Sequence, residues 1–359
     1  TGVPVILLNP SPYHDQLGKS AGFPGIGVRT PSVPVLRRLL ADSSGLKERV
    51  SSFTEKLDPH RAWGLPSLLS SMQPQGSPRC PVCARDGNDV RARFKDRTYR
   101  SCAGCGVTYM ESFASAKMRY GARYFGQEYK AHYGRTYLED FQTIKRASRE
   151  RLKIVQALTA KNLDGAIVDI GCAYGPFLAA VMDEGLPCFG IDVSDEAVSY
   201  VRKKLGIPAV RGSFQTIERR LLPRRISAVT LWYVIEHFPD VALVLRKAAD
   251  LLPTGGVLAF STPNGNGISA RKGLTYFLEA SPPDHFTIFK PAGLERILAA
   301  HGFELMRLRV TGHHPERFPG VLGTLGAGTR PWRSSLERAS RLLGLGDTFE
   351  AYAVKVDEA

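Results

Sequence analysis

The chain has 359 residues, 43% of them hydrophobic, and carries 48 Lys and Arg against 34 Asp and Glu for a net charge of +14. That length and apolar content predict a globular, enzyme-sized protein of two or three domains and exclude a disordered or fibrous one. The longest apolar runs, such as 3–8 and 226–235, fall short of the ~20 residues that cross a bilayer, so no membrane span or membrane partner is expected.

The first residues lack a basic segment followed by an apolar stretch, so no secretory leader is expected. A possible strand over 3–8 runs into a stretch rich in Gly and Pro, and the spacing over 35–57 predicts an amphipathic helix. Residues 1–75 are read as an extension to which no function attaches. Between Tyr109 and Phe141 aromatic residues cluster, several four or five apart, as one side of a helix would place them. The span 91–153 holds 15 Lys and Arg against 6 Asp and Glu. The excess charge is thus concentrated there, and it raises an acidic partner such as RNA or a phosphorylated substrate.

From about residue 164 short apolar strands alternate with helices, the pattern of a parallel α/β sheet. Strands are expected at 167–170, 188–192, 209–211, 228–232 and 257–261, with helices near 176–184, 195–205 and 240–251. A helix at 291–300, a strand at 304–311, a helix near 334–343 and a strand at 348–356 complete the chain. The two late strands suggest an antiparallel hairpin closing one sheet edge. The fold class is α/β: a doubly wound, Rossmann-like seven-stranded sheet with, where two C-x-x-C pairs fall between Cys80 and Cys105, a small N-terminal zinc ribbon. The expected domains are the extension (1–75), the ribbon (76–112), an aromatic-rich helical connector (113–160) and a catalytic domain (161–359) with a helical insertion at about 313–346.

Four of the six cysteines form two C-x-x-C pairs, Cys80 with Cys83 and Cys102 with Cys105, separated by 18 residues. Two such knuckles supply four thiolates for a tetrahedral Zn²⁺. Four protein ligands leave no open position, so the zinc is expected to be structural. The pattern reads as metal binding in a reducing, cytoplasmic setting, not as a disulfide framework.

The segment Val168-Asp169-Ile170-Gly171-Cys172-Ala173-Tyr174-Gly175 places a Gly-rich turn after a strand and before a helix, where open α/β folds bind ligands. Asp192 ends the next strand, and a carboxylate there can accept hydrogen bonds from both ribose hydroxyls of an adenosine. The glycine spacing departs from the G-x-G-x-x-G that cradles a dinucleotide pyrophosphate, and a sulfonium cofactor has no phosphate to hold.

From about residue 76 the chain resembles the class I methyltransferases, in particular the bacterial group that joins a zinc ribbon to a catalytic domain similar to ubiquinone-biosynthesis O-methyltransferases. The matching pieces are the two Cys pairs, Tyr124-Phe125, D-I-G-C-A-Y-G at 169–175, G-I-D-V-S at 190–194 and W-Y-V-I-E-H-F at 232–238. They continue with L-L-P-T-G-G at 251–256, S-T-P-N at 261–264, P-P-D-H-F at 282–286 and H-G-F at 301–303. The resemblance implies S-adenosyl-L-methionine as cofactor. Asp169, Gly171 and Gly175 would line its methionine part, with Ala173 where the family usually has glycine. Asp192 and Val193 would hold the ribose, Ser213 and Phe214 would flank the adenine, and Trp232 would complete the site. Ser213 departs from the acidic residue often found there.

Methyl transfer is an in-line displacement that positioning can largely accomplish. A hydroxyl acceptor also gives up a proton, and an imidazole suits that task near neutrality. His237, just after the fourth strand, and His285, in Pro282-Pro283-Asp284-His285-Phe286, are the candidate catalytic residues. The expected acceptor is a small molecule or saccharide precursor, modified at oxygen. The alternative is an RNA methyltransferase that grips phosphates with the ribbon and its basic neighbour.

Overall fold

The computed structural model describes residues 79–356 apart from 87, 114–124, 126, 128, 161–163 and 329. The expected strand at 3–8, the helix at 35–57, Tyr120 and Tyr124 lie outside the described residues. All of those described belong to one unit, Pro74–Ala359.

The central sheet has seven strands. In chain order they are β4 (Ala166–Ile170), β5 (Cys188–Asp192), β6 (Ala209–Arg211), β7 (Ile226–Trp232), β8 (Val257–Pro263), β10 (Phe303–Thr311) and β11 (Thr348–Lys355). Their spatial order is β10-β11-β8-β7-β4-β5-β6, with β11 antiparallel to both neighbours and the other pairings parallel. β4 is buried at every position, and β7 and β8 at every position but their last, because helices cover both faces of a parallel sheet. The expected antiparallel hairpin is present as β10 and β11 at the sheet edge.

Helices α3 (Pro176–Asp183), α4 (Asp195–Lys204) and α5 (Val241–Leu251) make the crossovers. α4 shows why these segments are helical. The Ser194 hydroxyl accepts from the Ala197 N–H at its start, Asp195 and Glu196 fill its first turn, and Arg202, Lys203 and Lys204 its last, each complementing the helix dipole. The Asp240 carboxylate caps α5 in the same way.

The aromatic segment corrects one expectation. Tyr109 and Phe113 belong to a strand, β3 (Thr108–Phe113), not to a helix side. Tyr109 is fully buried and its hydroxyl accepts from Asn88. The helices begin only at α1 (Tyr129–Tyr133) and α2 (Tyr137–Leu158), the latter opened by a capping box between Thr136 and Glu139. Phe125, Tyr137 and Phe141 pack against Ala173, Tyr174 and Ala179, so this face does join the catalytic core.

β1 (Asp89–Arg93), β2 (Arg97–Ser101) and β3 form the ribbon's sheet, and a two-residue strand from the far end of the chain, β9 (Thr287–Ile288), extends it by pairing with β3. The cysteine knuckles share one apolar cluster with Ile235, Phe238, Val241 and Leu294. Ala242 at the start of α5 donates to the Pro81 carbonyl. Arg97, 8% exposed, donates to the carbonyls of Leu278, Glu279 and Ser281, where α7 (Leu274–Ala280) ends. The ribbon is therefore built into the catalytic body on the side that carries residues 278–289.

Candidate active site

A cavity of about 640 Å³ opens where β4, β5, β6 and β7 end. Its floor is the carboxyl edge of the sheet. Its outer wall is α2, through Thr143, Ile144, Ala147 and Arg151, together with Phe125, Tyr129 and Tyr137.

Gly171 and Ala173 form the turn after β4, and both have positive φ, +67° and +48°. A side chain at Gly171 would collide with the Val234 side chain, so glycine is required there both sterically and conformationally. Ala173 tolerates the left-handed region, as its N–H is fixed by Asp192. The Asp192 carboxylate accepts from the N–H groups of Ala173 and Ser194, both at 2.8 Å. Burial pushes its pKa up against the pull of these N–H groups. Each oxygen keeps a lone pair, and the oriented carboxylate faces the cavity.

Val193, Ser213, Phe214 and Trp232 also line the cavity. Asp169 and Gly175 do not. Asp169 is buried behind the turn, accepts from the Thr230 hydroxyl at 2.7 Å and has its pKa pushed up by burial to about 7. Gly175, at φ +78°, precedes α3 and packs toward Val201 and Leu205.

His237 lies on the cavity wall and His285 stands edge-on to it, with ring centroids 4.7 Å apart. The His237 Nδ1 is 3.0 Å from the Asp284 Oδ2. Burial pulls its pKa down, but the hydrogen bond that it donates to Asp284 and the charges of Glu236 and Asp284 outweigh that, and the net direction is upward. His285 goes the other way: burial, then the charge of His237, push it down to about 3. Glu236 is 1% exposed and burial raises its carboxyl to about 7. Donor atoms of Glu236, His237 and His285 lie within 4.8 Å of one another.

Three features of the site escaped the sequence reading. Arg151 of α2 reaches the cavity with its guanidinium 4.6 Å from the centre of the Trp232 ring, while its Nε donates to Glu350 of β11 at 2.9 Å. Tyr233 has φ +60°, a strained conformation for a bulky residue, and its N–H bonds to Ser261. Asp284 lay beside a candidate histidine in sequence, yet its partner is the other one. Tyr233 and Asp284 carry a signal in the sequence, their places in the W-Y-V-I-E-H-F and P-P-D-H-F motifs; Arg151 carries none.

The cysteines converge as the spacing predicts. The Sγ atoms of Cys80 and Cys105, and of Cys83 and Cys102, are 3.5 Å apart, and all four lie within 4.8 Å of one another. Tetrahedral zinc with bonds of ~2.3 Å separates its sulfurs by ~3.8 Å, so the cluster has the right dimensions. Hydrogen bonds from Ala84 to Cys80 and from Gly106 to Cys102 close the knuckles, with Ala84 and Gly106 at positive φ.

A doubly wound sheet with a Gly-rich turn after its central strand and a carboxylate at the end of the next defines a nucleoside-cofactor enzyme. The comparisons specify it. Residues 141–308 match the family model described as a methyltransferase domain. The ubiquinone biosynthesis O-methyltransferase of Thiobacillus denitrificans is 30% identical over 159 residues, 42% of this chain and 68% of that one. Its counterpart in Serratia proteamaculans is 28% identical over 165 residues, 43% and 68% of the two chains. A SAM-dependent methyltransferase from Archaeoglobus fulgidus aligns at 16% identity with a TM-score of 0.44, covering 61% of this chain and 99% of the other. The chain belongs to the class I S-adenosylmethionine-dependent methyltransferases.

Proposed function

We propose that this methyltransferase acts on a hydroxyl oxygen of a small molecule or saccharide precursor, with His237 as the base, and that Cys80, Cys83, Cys102 and Cys105 hold a structural zinc. The observation that carries the reading is the His237 ring on the cavity wall with Asp284 bound to its Nδ1. The names of the curated relatives favour oxygen as the acceptor atom.

S-adenosylmethionine supplies an electrophilic methyl carbon on a sulfonium. Asp192, Val193, Ser213 and Phe214 would hold its adenosine, and the backbone of Gly171 and Ala173 its amino-acid end. Arg151, held by Glu350 on the cavity wall, would be a counter-charge for its carboxylate. The cavity accepts such a group: its glycine turn leaves bare backbone exposed, and the Trp232 indole Nε1 is buried without a hydrogen-bond partner.

Asp284 accepts from Nδ1–H and so fixes the tautomer in which Nε2 of His237 is the basic nitrogen that would take the acceptor's proton. The imidazolium that forms is stabilised by Asp284 and by the charge of Glu236. His285, held neutral by burial, lies outside the cavity lining and packs edge-on against His237. α2 and its aromatic neighbours close the cavity, so that the acceptor is aligned and water displaced. We keep the division into extension, ribbon, connector and catalytic domain at 1–75, 76–112, 113–160 and 161–359 as part of this reading, with the ribbon acting as a buttress for the catalytic loop.

The test is acceptor-dependent formation of S-adenosylhomocysteine with pools of phenols, sugar derivatives and RNA. Turnover with a small hydroxyl compound, lost in His237→Gln, is expected. Turnover with RNA alone, or methylation of nitrogen only, would refute the proposal.

A further inference from the structure

The segment 312–347 hangs from the same sheet edge as the cavity, since β10 ends at Thr311 and β11 begins at Thr348, opposite Pro263 at the end of β8. It holds two helices, α9 (Val321–Ala327) and α10 (Arg330–Leu342). Polar contacts fasten its root. Arg317 donates to Asp347 at 2.6 Å and to the Ser269 hydroxyl at 2.9 Å, and His313 bonds Ser340 at 2.8 Å.

Along α10 and one residue past its end, Trp332, Leu336, Ala339 and Leu343 recur at i, i+4, i+7 and i+11, the spacing of an apolar stripe that a helix turns toward a core. Leu336 and Ala339 at its centre are half-buried, but apolar residues stay open at both ends: Trp332 is 55%, Leu342 88% and Leu343 62% exposed, and Val321 of α9 is 74% exposed. Basic residues flank it. The sequence of α10 holds four arginines and one glutamate, Glu337, which pairs with Arg333. Arg338 and Arg341 have no acidic partner among the described residues.

Exposed apolar residues grouped in this way demand an apolar partner, and uncompensated arginines beside them demand an anionic one. A phospholipid surface offers both, and a Trp with Leu on one face and Arg on the other is the composition of a helix lying in the headgroup plane. We propose that the α9–α10 hairpin seats this protein on an anionic bilayer surface as a peripheral contact, with the cavity's sheet edge toward the lipid. No described helix is long and apolar enough to cross the membrane, and none is needed for this contact. The inference is independent of the acceptor reading.

The experiment is co-sedimentation of the full chain with vesicles of phosphatidylcholine alone or with one third phosphatidylglycerol. Binding to the anionic vesicles is expected to exceed that to neutral ones about tenfold. Trp332→Ser with Leu343→Ser should lose most of it, Trp332→Phe should keep it, and Arg338→Gln with Arg341→Gln should remove the preference for anionic lipid. Circular dichroism and S-adenosylmethionine binding control for folding. No binding to either vesicle overturns the proposal, as does binding that the apolar substitutions leave unchanged. A dimer that Trp332→Ser dissociates, without lipid binding, assigns the face to a second copy instead and also overturns it.

Discussion

Replacing Asp284 by Asn tests the proposed base without touching the imidazole itself. The Asp284 carboxylate, 5% exposed and 3.0 Å from Nδ1, is the chief group opposing the downward pull of burial on His237. A hydrogen bond to a charged group contributes roughly 1.5–3 kcal/mol, so losing the charge should destabilise the imidazolium by about that much and lower the His237 pKa. The sign follows from the role. A base works in its neutral form, so kcat/KM is low in acid and rises as pH passes through the His237 pKa, which stands above the ordinary value near 6.5. In Asp284→Asn that rise should move to lower pH. The plateau should also fall, because an amide no longer enforces the tautomer that makes Nε2 the basic nitrogen, though by less than the ~10²–10⁴-fold expected of His237→Gln. Initial rates of S-adenosylhomocysteine formation from about pH 5.5 to 9 give both quantities. An acid limb that stays in place while the variant folds normally would show that the titrating group is not His237 and would refute the reasoning.

Two further outcomes are expected. Asp192→Asn should weaken S-adenosylmethionine by about one to two orders of magnitude, the loss of a charged hydrogen bond, with no comparable affinity for NAD in either protein; calorimetry showing equal affinity for the variant would remove Asp192 from the site. Purified protein should contain one zinc per chain, lost in Cys102→Ser, and that variant should lose turnover far more than cofactor affinity. The reason is that structural zinc contributes on the order of 10 kcal/mol to such units, and the ribbon holds β9 and, through Arg97, the segment leading to Asp284. Metal analysis finding no zinc, or a metal-free variant with wild-type turnover, would contradict this.

The sequence by itself determined what depends on local pattern. Parallel strands covered on both faces are apolar runs, so β4, β5 and β6 were legible to within a residue and β7 and β8 to within two. Fixed ligand chemistry made the cysteine spacing readable, and a turn that must expose bare backbone made Gly171 readable. Local pattern failed at Tyr109, where aromatic spacing suited a helix but strand pairing with β2 decided otherwise. Tertiary structure alone decided the rest. His237 and Asp284 are 47 positions apart, and Arg151 and Glu350 are 199 apart. Nothing in either segment encodes its partner. They meet because crossovers and a ribbon strand added to β9 bring distant loops to one sheet edge, and because buried charges are tolerated only where such a partner arrives.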